Sequence, residues 1–344
     1  MGQVGDTRIG SMKILARLSS FQIPSGLFLI LTSFTGGAGS PSANYFEFHN
    51  NFWMNVHHTL FREMVAEKMD EQTKKRIGLV PLSDAGLSER EKQLWTSAVH
   101  CYSTMFAGRR LLFDDQLITF NNSLGRQKDP QKLDPSGLPE DFVRCLENAS
   151  AIYKRHWWPE HQKANEQFIA EMRPKVDEFG PLVIPHLEHF FGMQWQSPLQ
   201  VDVTYYVAEV GSAYTTEYPG HTTVASGRDD NHGLPGIETL FHEGAHTLTD
   251  KIASALWDEC KRQKKDCKDL WHAVQFYTVG AMVKEALAAD GAPDYVPYAY
   301  GFGLYERGDW PKFRPAIERD WQPYLNGKSS FDEAVSNLVR DVAL

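Results

Sequence analysis

The sequence predicts a mainly α protein of the α+β class: a helical N-terminal half, a small mixed sheet, then a helix pair. Three observations predict it. Residues 44–191 carry apolar side chains at helical spacing, broken by turn-rich stretches. After Pro198 the texture changes to alternation rich in Val, Thr and Tyr, as in "LQVDVTYYV". Helical spacing then returns from Ile237. The 344 residues are 42% hydrophobic, enough for one large domain or two modest ones. At 23% charged residues, wholesale disorder is excluded. A formal net charge of −9 argues against a general nucleic-acid binder. Nine Trp, thirteen Tyr and twenty Phe favour a packed interior and an aromatic-lined cleft.

The chain opens with Arg8, Lys13 and Arg17, an apolar run from Gly26 to Phe34, and the small residues "TGGAGSPSA". This three-part layout predicts a secretory signal cleaved between Ala38 and Ala43, hence a secreted or periplasmic protein. The apolar run is short for a transmembrane helix, so no membrane span is expected after its removal. Three segments follow: a signal and disordered start at 1–42, a helical region at 43–197, and a catalytic region at 198–344 that forms one compact unit with it. Helical spacing begins at Asn44 with Phe46, Phe52, Trp53, Val56, Leu60 and Val65. Ser88 before Glu89 and Glu91 signals a helix start. Gly125 to Pro139 is a turn-rich linker, and the long helical pattern after it is expected to break or kink near Pro159.

"SAYTTEYPGHTTVAS" predicts one or two strands broken at Pro219-Gly220, and Gly227 to Gly236 a loop. Helices are expected over Ile237 to about Trp257 and over Leu270 to about Ala289. Asp269 is a plausible cap for the second, and Gly291 lies past its end. A Tyr/Pro/Gly-rich loop and two short helices, near Pro315–Trp321 and Phe331–Val342, complete the chain. Cys101, Cys145, Cys260 and Cys267 allow three pairings. Cys260 and Cys267 bracket the basic loop "KRQKKD" and suit a staple, which leaves Cys101 with Cys145. No C-x-x-C pattern points to a Cys-rich zinc site.

The chemistry is expected in "LFHEGAHTLTD", residues 240–250. Residues four apart on a helix share a face, so His242 and His246 can grip one ion without backbone rearrangement. Glu243 is turned about 100° from His242. It misses the coordination shell but reaches a water on the metal, the arrangement that water activation needs. Ile237, Phe241, Ala245, Leu248 and Ile252 form an adjacent apolar stripe. Gly244 lowers helix propensity by about 1 kcal/mol against Ala and admits a close neighbour. The bland alternative is a core in which both histidines are simply hydrogen-bonded.

With strands before it and a second helix after it, His242-Glu243-x-x-His246 resembles the zinc metallopeptidases of the gluzincin type. "HEGAHTLTD" is similar to the thermolysin-like motif as far as Thr249 and Asp250. The resemblance covers roughly residues 200–300, and only the central motif is specific. It implies a zincin-like helix pair, Zn2+, a third ligand glutamate on the following helix, and hydrolysis of peptide or protein substrates. That glutamate is Glu285 in "VKEALAADG"; Asp290 follows at five residues where thermolysin-like enzymes have four. The gap from His246 to Glu285 exceeds that of those enzymes, and a loop at Cys260–Cys267 accounts for the excess. Ala281 lies one turn earlier on the same face and would leave the metal a ligand short. Asp258, Glu259 and His272 are the alternative ligands. A metzincin is excluded because Ile252 occupies the position of its third histidine.

In the mechanism so implied, Glu243 is the general base acting on a metal-bound water. Tyr298, from a group with Tyr300, Tyr305 and Arg307, is the expected oxyanion donor. For Arg307 a surface ion pair with Glu306 or Asp309 is the stronger expectation. "GHTTVAS", if it edges the cleft, would pair with an extended substrate, and His221 and His232 flank it. His57 and His58 are adjacent, point to different faces and are expected to be structural. His49 lies near them, and His156 and His161 are a poor metal pair. Trp157 and Trp158 are expected in the core, and "KRQKK" in a solvated loop. Two rivals stand beside the peptidase: an inactive exported binding protein that retains the motif, and a zinc hydrolase acting on a non-peptide bond.

Overall fold

Phe46 and Phe48 are buried while Glu47 between them is exposed. That period of two makes the first element a strand, β1 (Phe46–His49), where helical spacing had been expected from Asn44. The computed structural model describes residues 44–77, 79, 82–83, 86–207, 211–216 and 220–342. The expected signal and its cleavage site lie outside the described residues.

Asn51 starts α1 (Phe52–Lys68): its Oδ1 accepts from the N–H groups of Trp53 and Met54 at 2.9 and 3.1 Å. After α2 (Glu71–Ile77), α3 (Glu89–Phe106) opens on the capping box of Ser88 and Glu91. A 3₁₀ turn, Leu111–Phe113, leads to α4 (Asp115–Gly125), capped by Asp114. Then come α5 (Glu140–His156) and α6 (Trp158–Phe191). The expected disturbance near Pro159 is a break. Trp157 leaves helical geometry, and Pro159 sits in the first turn of α6, where a missing N–H has no partner to lose.

Two apolar clusters result. One joins α1, α3, α4 and α5 through residues such as Leu60, Tyr102, Phe120 and Phe142, with Cys101–Cys145 tying α3 to α5. The other holds most of the sheet and of the chain from α6 onward, while Trp158, Val207, Tyr214 and Ala225 join the first. α6, about 50 Å long, packs Phe168, Met172, Val176 and Leu187 into this second cluster. Trp158, at the start of α6, belongs to the first cluster, and Phe168 and the residues after it on α6 belong to the second.

β2 (Leu199–Thr204), β3 (Ala213–Thr216) and β4 (His221–Ala225) complete a four-stranded sheet of order β1-β2-β4-β3. β1, β2 and β4 are parallel; β3 runs antiparallel, with Thr215 opposite Thr222. β4 lies between β2 and β3, so "GHTTVAS" is interior and β3 is the edge strand.

The helix expected over 237–257 is two: α7 (Gly233–Ala245) and α8 (Asp250–Gln263), joined by the 3₁₀ turn His246–Leu248. Cys260–Cys267 then reverses the chain into α9 (Leu270–Ala289), whose bounds match the expectation. Asp269 makes no side-chain cap there; its Oδ2 accepts from Trp310 Nε1 at 2.7 Å. Beyond α9 lie α10 (Tyr298–Gly301), α11 (Trp310–Ala316), a π turn Ile317–Trp321, α12 (Gln322–Leu325) and α13 (Phe331–Asp341). The fold is thus mainly α with a small mixed sheet. Among the described residues no helix is long and apolar enough to cross a membrane.

α7 is buried on nearly every face from Gly236 to Ala245. Its neighbour at Gly244 is the Trp195 indole, and a Cβ at Gly244 would overlap that ring. Gly244→Ala is therefore expected to lower stability by about 1–3 kcal/mol, the range for overpacking, in spite of alanine's better helix propensity. Urea unfolding of the variant checks this; an unchanged midpoint would contradict the contact.

Candidate metal centre

α7 and α9 lie antiparallel, and the direction decides what meets. The first turn of α9 faces the C-terminal end of α7: His242 Nε2 lies 3.3 Å from His272 Nε2, and Gln275 Nε2 donates to the His242 carbonyl at 2.8 Å. Further along, Gly280 faces Glu238; a Cβ there would stand 3.0 Å from Glu238 Oε1 and 2.9 Å from Pro297. His246, at the end of α7, completes the group. One donor atom from each of His242, His246 and His272 falls within 4.8 Å of the others.

Two nitrogens held about 2.0–2.1 Å from one zinc at a tetrahedral angle stand about 3.3 Å apart. The His242–His272 spacing equals that separation. The rings are also held in place. His242 stacks on Phe276 with centroids 3.7 Å apart, His246 meets Trp271 edge-on, and His272 meets Trp310 edge-on. Burial, then the neighbouring imidazoles, holds His242 and His246 well below the usual histidine range; burial brings His272 down to about 4. All three rings are therefore neutral near pH 7, the form whose nitrogen lone pair binds a cation. Among the described residues His242 Nδ1 is buried without a partner, and that ring's one polar contact is on the cluster side.

Glu243 is turned toward the sheet. Its Oε2 accepts from Thr215 Oγ1 at 2.9 Å, and Thr215 is linked in turn to Thr222 across β3 and β4 at 2.8 Å. Burial pushes the Glu243 carboxyl up to about 8, against the Thr215 hydrogen bond, which lowers it. A cavity of about 630 Å³ opens onto the three histidines and Glu243, with Ser212 and then Ala213 to Thr215 of β3 along it. That volume suits a small ligand or a short peptide stretch. Leu112 and Phe113 also reach it, so the helical N-terminal half supplies part of the cavity wall.

The expected third ligand is not at the cluster. Glu285 is exposed on α9, thirteen residues beyond His272 and so about 20 Å along the axis. Asp258 and Asp290 are exposed, and Glu259 is engaged by Arg262 and Gln263. His272, one of the alternatives, is the residue brought to His242 and His246. Tyr298 lines the cavity; its hydroxyl donates to Asp230 Oδ2 at 3.1 Å and its backbone N–H to Glu238 Oε2 at 2.9 Å. Tyr300 and Tyr305 are engaged away from it, with Glu318 and the Ala273 carbonyl. His221 is buried between Asp202 and Asn122, and His232 between Glu171 and the Ser226 carbonyl. Glu238 and Thr215 were not singled out from the sequence. Glu238 is fully buried, bonded to Tyr295 Oη at 2.7 Å, and burial pushes its carboxyl up to about 7. An acidic residue one turn before His242, amid Ile237, Leu240 and Phe241, was the available signal.

Comparison with known proteins adds no assignment: no family model, curated protein or solved structure matches this chain.

Further histidines lie inside the N-terminal cluster. Tyr102 Oη meets His57 Nδ1 at 3.0 Å, and Tyr153 Oη meets His161 Nδ1 at 2.8 Å; burial lowers both rings to about 3. His58 meets Tyr214 Oη at 3.1 Å and is also held well below its usual value by burial. Between about pH 6.5 and 3 the unfolded chain binds protons on these rings that the folded chain does not, so stability falls as pH drops through that window. His242, His246 and His272 act the same way, which makes six histidines in all. The raised carboxyls Glu63, Glu238 and Glu243 act oppositely, since the folded state holds their protons above pH 4.5. Urea midpoints of the metal-free protein are expected to fall stepwise from pH 6.5 to pH 4; a flat profile would contradict the burial of neutral rings.

Proposed function

We propose that the protein is a zinc-dependent hydrolase in which His242, His246 and His272 hold the metal and Glu243 is the general base. One observation carries this reading: three neutral imidazoles converge within 4.8 Å, two of them at the tetrahedral spacing, on a cavity that also takes Glu243. Three protein nitrogens leave one position open, the pattern of catalytic rather than structural zinc. When bound, zinc supplies Lewis-acid polarisation of a carbonyl and a lowered water pKa.

The chain's own residues do the rest. Thr215 holds Glu243 through Oε2, and no hydrogen bond from the described residues engages Oε1. Glu243 Oε1 takes a proton from the attacking water and returns it to the leaving group. Tyr298 is the oxyanion donor of this reading, docked from behind by Glu238, and its hydroxyl must leave Asp230 to act. A peptide substrate is favoured over other bonds by β3. Its outer edge pairs with no other strand among the described residues, and it runs along the cavity, as strand addition requires. Two disulfides favour an oxidising compartment, in keeping with the export signal expected at the N-terminus. The rival reading of an inactive exported binding protein rested on a missing third ligand, and the proximity of His272 to His242 and His246 supports the hydrolase over it.

The purified protein is expected to bind one zinc. His242→Ala, His246→Ala and His272→Ala should each weaken binding by more than about 100-fold, the upper end for loss of an outer-shell partner. Glu285→Ala should bind zinc as the wild type does. Glu243→Gln should retain zinc and lose about 10²–10⁴-fold of its rate on a fluorogenic peptide library. Unaltered zinc affinity in His272→Ala, or wild-type turnover by Glu243→Gln, would contradict the assignment.

A further inference from the structure

Two guanidinium groups stand on the cavity wall, and they differ in their partners. Arg228 is engaged: its Nε and Nη2 make parallel bonds to Asp230 at 2.8 and 2.7 Å. Arg307 is not. Its Nη2 donates to the Phe302 carbonyl at 2.7 Å, and no carboxylate among the described residues pairs with it. The ion pair expected with Glu306 or Asp309 is absent because both acids are held elsewhere. Glu306 meets Arg314 at 3.1 Å, and Asp309 meets Lys312 at 3.0 Å and also Lys268.

One hydrogen bond to a carbonyl steadies the guanidinium and leaves most of its five donors without a protein partner. Arg307 is exposed at the cavity wall. Trp271, Phe276, Phe302 and Leu304 line the same cavity, and Phe113 enters it 73% exposed. The cavity's carboxylates are each engaged: Asp230 by Arg228, Glu238 by Tyr295 and Glu243 by Thr215. Solvent-facing aromatic side chains beside an uncompensated cation suit a ligand that is bulky and apolar at one point and anionic at another.

We propose that Arg307 is a specificity-determining residue that binds a substrate carboxylate, so that the preferred substrates are peptides with a carboxylate close to a bulky apolar residue. This rests on the hydrolase reading above. The carboxylate belongs either to the chain terminus or to an Asp or Glu side chain. Both present the planar pair of oxygens that a guanidinium engages through two parallel bonds.

The test uses zinc-loaded protein and two pairs of fluorogenic peptides built on one phenylalanine-containing core. In the first pair the C-terminus is a free acid or an amide. In the second, both ends are blocked and an internal Glu is exchanged for Gln. We expect the charged member of one pair to exceed its neutral partner about tenfold or more in kcat/KM, through KM. The first pair responding identifies a terminal carboxylate, the second a side chain. Arg307→Gln should bring the ratio to about one, and Arg307→Lys should restore part of it as a point charge without the fork. Equal rates within both pairs would overturn the proposal. So would a preference that survives Arg307→Gln, which would place the carboxylate on the metal. If the wild type turns over no peptide, the peptidase reading fails. Calorimetric binding of the same pairs then decides on Arg307, and equal affinities, or a difference unchanged in Arg307→Gln, would overturn it.

Discussion

The antiparallel packing of α9 on α7 is the constraint on which the site depends. His242 and His246 are placed by one helix alone, but a pair of imidazoles is an incomplete site. His272 joins them only because α8 carries the chain away, Cys260–Cys267 turns it back, and α9 re-enters with its first turn against the end of α7. The same packing requires Gly280 beside Glu238, and on another side of α7 Gly244 makes room for Trp195. Each glycine removes a Cβ where another group must approach, so the helix spacing that sets the histidine geometry is fixed by what is absent as well as by what packs.

Burying so many titratable groups is unfavourable unless something compensates. The three imidazoles stay neutral and pack against aromatic rings, and Glu243 and Glu238 are each held by hydroxyl or backbone donors. A cation at the histidines would change this balance, since its charge favours ionised Glu243 and opposes protonation of the rings. A bound cation would thus couple the three rings to Glu243 across the cavity that all four line. Leu112 and Phe113 of the helical N-terminal half reach the same cavity as Phe276 of α9, so that half is a wall of the site as well as a packing unit.

Local signals in the sequence were legible where local physics decided the outcome. Ser88 and Glu91 formed their box, the bounds of α9 followed from its apolar run, and the two loop-closing cysteine pairs formed as spacing suggested. β1 was obscured because Phe46 fits the helical spacing of Phe52 to Leu60, and two alternations are too few to outweigh it. The break between α7 and α8 has no Pro or Gly to announce it. The third ligand was misplaced for a different reason. Distance along the chain does not say which turn of the second helix faces the first, so Glu285, chosen by resemblance, fell on the solvent side beside Lys284. His272 carried its own signal, a titratable side chain between Trp271 and Phe276 in an otherwise apolar helix, but only the helix direction gives that signal its meaning.

The central claim is that these three imidazoles share one metal ion. Anomalous diffraction at the zinc absorption edge, from crystals of the zinc-loaded protein, addresses it most directly. The account predicts a single zinc about 2.0–2.1 Å from a ring nitrogen of each of His242, His246 and His272, with its remaining position open to solvent. A zinc whose third protein ligand is a carboxylate such as Glu285, or the lack of any anomalous peak among the three rings, would contradict it.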